Sequence, residues 1–158
     1  MLSLVSAEPD IGILLALAYQ EFVNLLHVDL GARGYDDLAR SDGYVFRALD
    51  TEALTTSALA DRLGISKQGA GQLVDDMTRR GYLRSRPDPS DRRARLLELS
   101  DRGQAALAAA RDFHRRYEQR LARRHGRAHV DDLRAMLTAM APTYGDGALD
   151  PRVRAMHV

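Results

Sequence analysis

Apolar residues near the start of the chain recur at the spacing of one face of an α-helix. Ile11, Leu15, Ala18, Phe22 and Leu25 follow one another at intervals of four, three, four and three, which predicts an amphipathic helix. Additional leucines make this stripe wider than one neighbouring element normally covers. We therefore expect part of the helix to pack against a second subunit.

A polar loop containing two glycines separates this helix from a shorter one. Ser41 or Asp42 is suited to cap the shorter helix at its N-terminus. Val45, Phe46 and Leu49 supply its apolar face, so we expect it to pack into the core.

The centre of the chain predicts two helices joined by a tight turn. The first helix has Leu63 on its inward face and ends at Gly64. Ser66 is suited to cap the second, which runs to about Arg80. Two helices joined by a short glycine-containing turn are typical of the helix-turn-helix. The apolar face of the second helix consists of Ala70, Leu73, Val74 and Met77.

Two short strands and two further helices complete the pattern. Residues 82–86 and 95–99 are predicted as strands, with Leu83 on the first and Leu97 and Leu99 two positions apart on the second. The Pro and Asp residues between them favour a turn. This segment predicts a β-hairpin with an arginine-rich tip. Apolar periodicity then predicts a long helix from Ser100 to near His125 and, after a glycine, another helix that ends before Pro142.

This order of elements predicts a mainly α protein with a small β-hairpin, a winged helix-turn-helix with flanking dimerisation helices. We expect a single domain over residues 1–158. Within it we expect the winged helix-turn-helix lobe at 38–99, dimerisation and linking helices at 10–30 and 100–141, and a loosely ordered tail at 142–158.

Basic residues are concentrated in one part of the chain, which the net charge of +1 conceals. Residues 1–62 carry a net charge of −6, and residues 63–158 carry +7. Residues 79–95 alone contain seven arginines and two aspartates. In this architecture such a cluster suits double-stranded DNA, although a charged run by itself is more often a solvated surface.

The second helix of the pair has the width that fits the major groove of DNA, where base pairs present distinguishable patterns. Lys67, Gln68 and Gln72 lie opposite its apolar face. Glutamine pairs with adenine in a bidentate manner, while Lys67 and the Ser66 hydroxyl suit phosphate or guanine. We also place Thr56 among the expected DNA contacts.

Gly69 and Gly71 lie in the first turns of this helix, where each costs on the order of 1 kcal/mol relative to alanine. Two explanations have equal weight. Either the glycines allow the helix backbone to approach DNA closely, or one of them packs against the preceding helix. Asp76 lies four residues before Arg80, a spacing typical of exposed ion pairs.

The predicted hairpin accounts for the clustered arginines. We expect Arg92 and Arg93 at its tip to enter the minor groove, where the negative potential is strongest. Arg86 and Arg95 on the strands are expected to contact phosphates.

Three acidic residues lie among these arginines. Asp88 and Asp91 are placed to orient the arginine side chains of the tip. Glu98 is expected to pair with an arginine across the hairpin.

Residues 57–100 resemble the MarR family of transcriptional regulators. One motif is Leu59-Ala60-Asp61-Arg62-Leu63-Gly64-Ile65-Ser66, and the other is Asp91-Arg92-Arg93 followed after five residues by Leu99-Ser100. The family pattern has threonine where this chain has Ser100, and serine caps a helix equally well. The flanking helices match the family in order and length.

This resemblance implies a homodimer in which the first and last helices form the interface, with Arg93 as the minor-groove residue. It also implies binding to a pseudo-palindromic operator near a promoter, usually as a repressor that a small ligand releases. A dimer agrees with the physics of recognition, because one helix contacts only a few base pairs. Two related helices would contact half-sites roughly 10 bp apart.

In similar regulators the small-molecule pocket lies between the dimer helices and the DNA-binding lobe. Tyr19, His27 and Tyr44 are placed to line such a pocket for an aromatic or phenolic effector. The more usual explanation of such residues is packing with the polar end in water. His125 and His129 are four residues apart, but the adjacent arginines disfavour a metal site, and we expect no metal and no cofactor.

Several other classes of protein fit the sequence less well. The absence of cysteine excludes a disulfide framework, a Cys-ligated zinc and a cysteine nucleophile. No serine-hydrolase, phosphate-loop or zinc-protease motif is present, so we expect a regulator and not an enzyme. The remaining alternative is a winged-helix adaptor that binds proteins and has no specific affinity for DNA.

The sequence also predicts a location for the protein. The longest uninterrupted apolar stretch near the start, residues 11–18, is far shorter than the roughly 20 residues of a membrane span. Glu8 and Asp10 are the first charged residues, unlike the basic start of a secretory signal. We therefore expect a cytoplasmic protein without membrane association.

Overall fold

The computed structural model describes residues 8–91 and 93–142. The predicted mainly α architecture with one small hairpin is confirmed. Most of the predicted tail, residues 143–158, lies outside the described residues. In chain order the elements are α1 (Ile11–Ala32), α2 (Asp42–Leu49), α3 (Thr56–Leu63), α4 (Lys67–Arg79), β1 (Leu83–Pro87), β2 (Arg95–Leu99), α5 (Asp101–His125) and α6 (Arg127–Met140).

Hydroxyl side chains cap the helices that follow the two turns and the hairpin. Thr55, Ser66 and Ser100 each accept a hydrogen bond from the backbone N–H three residues later, at 3.2, 3.0 and 3.1 Å. Each cap satisfies one of the backbone donors that a helix N-terminus leaves without an intrahelical partner. These contacts set the starts of α3, α4 and α5.

The start of α2 agrees with the prediction in position, but the predicted side-chain cap is absent. Ser41 is the N-cap residue but makes no side-chain capping hydrogen bond. The carboxylate of Asp42 accepts the N–H of Ala39 at 2.8 Å. The Asp42 side chain does not cap the helix because it is buried and forms an ion pair with Arg80.

Two glycines make the tight connections of the lobe possible. Gly64 has φ +67° at the C-terminus of α3, a left-handed conformation that glycine adopts without steric cost. A Cβ on Gly103 would lie 2.2 Å from the carbonyl oxygen of Tyr82. Glycine therefore lets α5 lie directly against the residue that leads into β1.

β1 and β2 pair antiparallel, with Leu83 opposite Leu99 and Pro87 opposite Arg95. A third segment, which the sequence did not predict, joins this sheet. Leu54 and Leu97 exchange two backbone hydrogen bonds, at 3.2 and 2.8 Å. This bridge attaches the base of the hairpin to the connection between α2 and α3.

One core joins the helices of the lobe to the hairpin and to the first half of α5. Val45, Leu59, Met77 and Tyr82 are completely buried in it. The ring of Phe46 lies edge-on to the ring of Tyr82, with centroids 5.7 Å apart. The core thus holds α4 and the hairpin together as one lobe.

α1 lies along α5 outside this lobe. The ring of Phe22 lies 5.6 Å from that of Phe113 and 4.9 Å from that of Tyr117, both measured between centroids. Arg116 donates to both carboxylate oxygens of Asp29, at 2.9 and 2.8 Å. Aromatic packing and this ion pair, in which one guanidinium nitrogen donates to both oxygens, therefore fix α1 on α5.

Much of the apolar surface of α1 and α6 is uncovered. Ile11 and Val28 are 73% and 71% exposed, and Met136 and Met140 are 58% and 60% exposed. Large exposed apolar residues concentrated on two helices are typical of an interaction site. The other large exposed apolar residues on these two helices are Ile13, Leu14, Leu17, Tyr19, Leu133 and Leu137.

α1 is also long and apolar enough to cross a membrane, with a mean hydropathy of 1.5 over 18 residues, of which 6% are buried. The apolar segment is thus longer than the uninterrupted stretch of residues 11–18, because few charged residues follow Tyr19 and the mean hydropathy stays high. The expectation that the chain has no membrane span stays a prediction. Length and composition alone do not separate a membrane span from a helix whose apolar face packs on another protein.

Candidate nucleic-acid interface

The outer face of α4 presents polar side chains at its N-terminal end. Ser66, Lys67, Gln68 and Gln72 are all exposed. The helix places them opposite its buried face, which consists of Ala70, Val74 and Met77. The free backbone N–H groups of the first turn lie beside Lys67, so this end of the helix favours an anionic partner.

Gly69 and Gly71 leave the surface of α4 open. A Cβ on Gly71 would have no neighbouring atom within 4 Å, and one on Gly69 would meet only the Ser66 hydroxyl oxygen, at 3.2 Å. Packing against α3 therefore does not explain either glycine within the described residues. Close approach of the helix backbone to a partner stays a prediction.

The arginines of the hairpin strands are held in place by neighbouring side chains. The Arg95 guanidinium donates to the hydroxyl and carbonyl oxygens of Ser85, both at 3.0 Å. Glu98 accepts from Arg84 at 2.8 Å and from Arg86 at 3.3 Å. The prediction that Glu98 pairs across the hairpin is confirmed, and it pairs with two arginines instead of one.

The hairpin tip is built from two aspartate turns. Asp88 accepts the N–H and the hydroxyl of Ser90, at 2.8 and 2.7 Å, and Asp91 accepts the N–H of Arg93 at 2.9 Å. Each carboxylate bonds a residue two positions later, as in Asx turns. The expectation that these aspartates orient arginine side chains stays a prediction. The Ser90 hydroxyl lowers the pKa of Asp88. Arg93 is exposed, and Arg92 lies outside the described residues.

Thr56 is the first residue of α3 and is half-buried. It follows the capping residue Thr55, so it lies at a helix N-terminus of the same lobe as α4. The structure thus groups the predicted DNA contacts on α3, α4 and the hairpin.

One group of charged residues, at the C-terminal end of α4, was not predicted from the sequence. Arg80 was expected in an exposed ion pair with Asp76, but its side chain is only 16% exposed. It bonds Asp76 of its own helix and also the buried Asp42 of α2, at 2.7 Å. The pair with Asp42 joins positions that are 38 residues apart, a separation that helix periodicity does not address.

The predicted ligand residues are only partly brought together. The hydroxyl oxygens of Tyr19 and Tyr44 lie 3.0 Å apart. Burial and the bond to Tyr19 raise the pKa of Tyr44 to about 12. His27 is half-buried near the loop before α2. Its pKa is lowered mainly by burial and also by the positive charge of Arg40.

Two cavities in the described part of the chain lie elsewhere. One of about 420 Å³ lies between the α2–α3 connection, the hairpin and α5, and its wall includes Asp50, Arg84 and Arg111. A second of about 330 Å³ is lined by His125, His129 and the apolar residues around them. Within residues 8–91 and 93–142, no group of three or more metal-ligating side chains comes together.

Comparison with known proteins shows which family this arrangement resembles. Residues 36–94, which contain α2, α3, α4 and the hairpin tip, match a family model described as MarR family. The chain has the MarR winged-helix fold. The resemblance inferred from the sequence motifs is therefore confirmed. Comparison with curated proteins gave no match.

Solved MarR structures extend the similarity to the flanking helices. The reduced form of MarR from E. coli has a TM-score of 0.68 at 19% identity, covering 87% of this chain and 100% of that one. A MarR mutant from E. coli complexed with operator DNA has a TM-score of 0.63 at 21% identity, covering 84% and 94%. A probable transcriptional regulator from Pseudomonas aeruginosa has a TM-score of 0.62 at 26% identity, covering 83% and 96%.

Proposed function

We propose that this protein is a sequence-specific DNA-binding transcriptional regulator. The observation that carries the proposal is the outer face of α4, where Lys67, Gln68 and Gln72 are exposed and a Cβ on Gly71 would meet no atom within 4 Å. An arginine-rich hairpin extends from the same lobe. Similar structures include a MarR mutant complexed with operator DNA and a MepR mutant from S. aureus bound to an oligodeoxyribonucleotide.

The proposed contacts follow from the chemistry of the two grooves. Gln68 and Gln72 contact base edges in the major groove, while Ser66 and Lys67 bind phosphate or guanine. Arg93 enters the minor groove, where the negative potential is strongest. The remaining proposed contacts are Thr56, Arg86, Arg92 and Arg95.

We further propose that the regulator is a homodimer. The exposed apolar surface of α1 and α6 supports this, because such a surface is stable in water when a second copy covers it. Two copies related by a two-fold axis would contact a pseudo-palindromic operator with half-sites roughly 10 bp apart. Replacing Leu133 and Met136 by glutamate should yield monomers in light scattering. A dimer that survives both changes argues against this interface.

In this proposal the regulator acts as a cytoplasmic repressor and responds to a small molecule. The hydrogen-bonded pair Tyr19–Tyr44, with His27 further along α1, suits an aromatic or phenolic ligand. Titration calorimetry with benzoates and phenols tests this part of the proposal. The proposal is supported by a compound that binds the wild-type protein and releases DNA, but does not bind the Tyr44→Phe variant. It is refuted if none of the compounds gives heat on titration.

The deciding experiment measures binding of the purified protein to DNA flanking its own gene, with excess nonspecific competitor and at several salt concentrations. We expect competitor-resistant binding that weakens steeply with salt, and a footprint with two half-sites. Gln68→Ala should relax base preference at one position per half-site, whereas Arg93→Ala should weaken binding.

A matched control is Arg124→Ala, which removes an exposed arginine at the far end of α5 and should leave DNA binding unchanged. If Arg92→Ala with Arg93→Ala leaves DNA affinity unchanged, the protein-binding adaptor becomes the better explanation. A random-sequence DNA selection then separates a distant operator from the absence of one.

A further inference from the structure

A buried ion pair connects the C-terminal end of α4 to the start of α2. Asp42 is 1% exposed, and one of its carboxylate oxygens, Oδ2, accepts from Arg80 Nη1 at 2.7 Å and from the N–H of Ala39 at 2.8 Å. Among the described residues, none donates to its other oxygen, Oδ1. The charge of Asp42 is therefore compensated mainly by Arg80, and the bond to Asp42 raises the pKa of Arg80.

The same guanidinium holds two further groups. Its Nε donates to Asp76 of α4 at 2.8 Å, and its Nη1 also donates to the carbonyl oxygen of Asp37 at 2.8 Å. Because a guanidinium is planar and donates in fixed directions, these bonds set an orientation as well as a distance. Arg80 thus ties its own helix to the segment between α1 and α2.

Tyr82, the residue before β1, extends this cluster to the hairpin. It is completely buried, and its hydroxyl donates to Asp37. Arg102 of α5 lies over the ring at 4.6 Å and donates to both oxygens of Asp37 at 3.1 Å. We call Asp37, Asp42, Asp76, Arg80, Tyr82 and Arg102 the Arg80 cluster.

The position of this cluster at one end of α4 matters for the other end. The 13 residues of α4 span about 20 Å, so a tilt of about 10° at Arg80 moves the N-terminal turn by about 3 Å, the length of a hydrogen bond. Hydrophobic contacts hold the buried apolar face of α4 on the core, but they are non-directional and do not by themselves fix the tilt of the helix. The directional bonds that restrain α4 against the α1–α2 segment come from Arg80.

Stability alone is a weak reason for such a pair. Removing a carboxylate and a guanidinium from water is costly, and well-packed apolar residues of similar volume often replace a buried ion pair without loss of stability. We infer that Arg80 is a positioning residue of the DNA interface, which fixes the tilt of α4 through Asp42. Its Cζ also lies 5.6 Å from the centroid of the Tyr82 ring, so it helps to hold the residue that leads into the hairpin. This inference rests on the proposed DNA-binding function.

The test replaces the pair by apolar residues and compares orientation, stability and DNA specificity. The variant Asp42→Leu with Arg80→Met removes one acid and one base, so the net charge is unchanged. Asp50→Leu with Arg111→Met is the matched control, because it removes another ion pair between the α2 end and α5. Arg80→Lys keeps the charge but cannot form the same set of directed bonds.

Orientation is measured without DNA. The chain has no cysteine, so spin labels at Gln72→Cys and Ala108→Cys report the position of α4 relative to α5 without background labelling. We expect the distance distribution to shift or broaden in the apolar variant and in Arg80→Lys, and to stay unchanged in the control. An unchanged distribution in the apolar variant overturns the inference.

DNA specificity is measured as the ratio of affinities for operator and nonspecific DNA in the unlabelled proteins. We expect the apolar variant to keep a melting temperature near that of the wild-type protein while this ratio falls about tenfold, since sites tolerate only small errors in geometry. A ratio that stays constant while the melting temperature falls assigns the cluster a purely structural role and overturns the inference. A wild-type protein without operator preference refutes the proposed function, and the label distances still decide whether Arg80 fixes α4.

Discussion

Lys67 is the only lysine among the 23 basic residues of the chain, and it is the first residue of α4. Arginine remains protonated at neutral pH, so an amine-acylating reagent modifies Lys67 and the α-amino group but leaves the arginines unmodified. We expect acetylation with an N-hydroxysuccinimide ester to lower DNA affinity and to reduce the salt slope of the proposed dimer by about 2, because each copy then neutralises one phosphate fewer. Operator DNA bound beforehand should protect Lys67 from the reagent.

The control is Lys67→Arg, which keeps the charge but not the reactive amine. We expect this variant to bind DNA and to keep its affinity after treatment with the reagent. Equal decreases in affinity in Lys67→Arg and the wild-type protein would show that the α-amino group, and not Lys67, is responsible.

Gly71 should give opposite changes in stability and in DNA binding. Alanine fits the space at this position and favours the helix by about 0.5–1 kcal/mol, so Gly71→Ala is expected to raise the free energy of unfolding. The added methyl group lies on the exposed side of α4, so DNA affinity is expected to fall about tenfold. Urea unfolding and fluorescence anisotropy measure the two effects.

Gly43→Ala provides the comparison, since Gly43 is also a helical glycine with open space around it but lies on α2. It should leave DNA affinity unchanged. A Gly71→Ala variant that is stabilised and binds DNA as well as the wild-type protein contradicts the close-approach explanation.

At the scale of single residues, helix periodicity identified which face of α4 is polar but not what its charged side chains contact. Lys67 and Gln72 lie on the exposed face as predicted. Arg80 occupies a position that suggested an exposed pair, yet its side chain turns inward to Asp42. A long side chain reaches several Å from its helix, so its partner depends on the tertiary packing and not on local spacing.

Glu98 reduces the net positive charge of the hairpin. The bond from Arg84, together with that from Arg86, keeps the pKa of Glu98 low, so Glu98 is ionised at neutral pH and offsets part of their charge. We expect Glu98→Gln to raise affinity for nonspecific DNA several-fold at low salt and to steepen the salt slope. Anisotropy titrations with a duplex of arbitrary sequence measure both quantities.

Glu118→Gln is the matched variant for this prediction. Glu118 also pairs with two arginines, Arg127 and Arg134, but it lies where α5 meets α6. It should leave nonspecific affinity almost unchanged. Equal increases in the two variants would show that net charge, and not the hairpin, controls nonspecific binding.

At the scale of elements, the order of helices and strands followed from the sequence, while their junctions did not. Period-two leucines predicted β1 and β2. The Leu54–Leu97 bridge was not predicted, because a contact of one residue pair has no alternating pattern to reveal it. The wide apolar stripe of α1 predicted an uncovered face, but periodicity does not state what covers it.

The whole molecule separates two kinds of surface. Uncovered apolar residues lie on α1 and α6, and arginines cluster on and beside the hairpin. α5 connects these regions. Its Phe113 packs against Phe22 of α1, and its Gly103 lies directly against the backbone of Tyr82. Association through the first region would therefore set the spacing between the two DNA-binding lobes of a dimer.

The junction of α1, α2 and α5 should also make stability depend on pH. His114 lies beside Phe22. Its pKa is lowered mainly by burial and also by the positive charge of Arg47. Burial and Arg40 likewise lower the pKa of His27. Below the ordinary histidine pKa of about 6.5, the unfolded chain then binds more protons than the folded chain, so stability falls as the pH falls.

Urea unfolding between pH 7.5 and 5.5 tests this expectation, because aspartates with lowered pKa, such as Asp37 and Asp112, lose their stabilising contribution only at lower pH. We expect the free energy of unfolding to decrease across this range, and His114→Gln to reduce the decrease. His129→Gln, at an exposed position on α6, should leave the slope as it is. An equal slope in His114→Gln and the wild-type protein would mean that His114 is as readily protonated in the folded chain as in the unfolded one, contrary to its packing against Phe22.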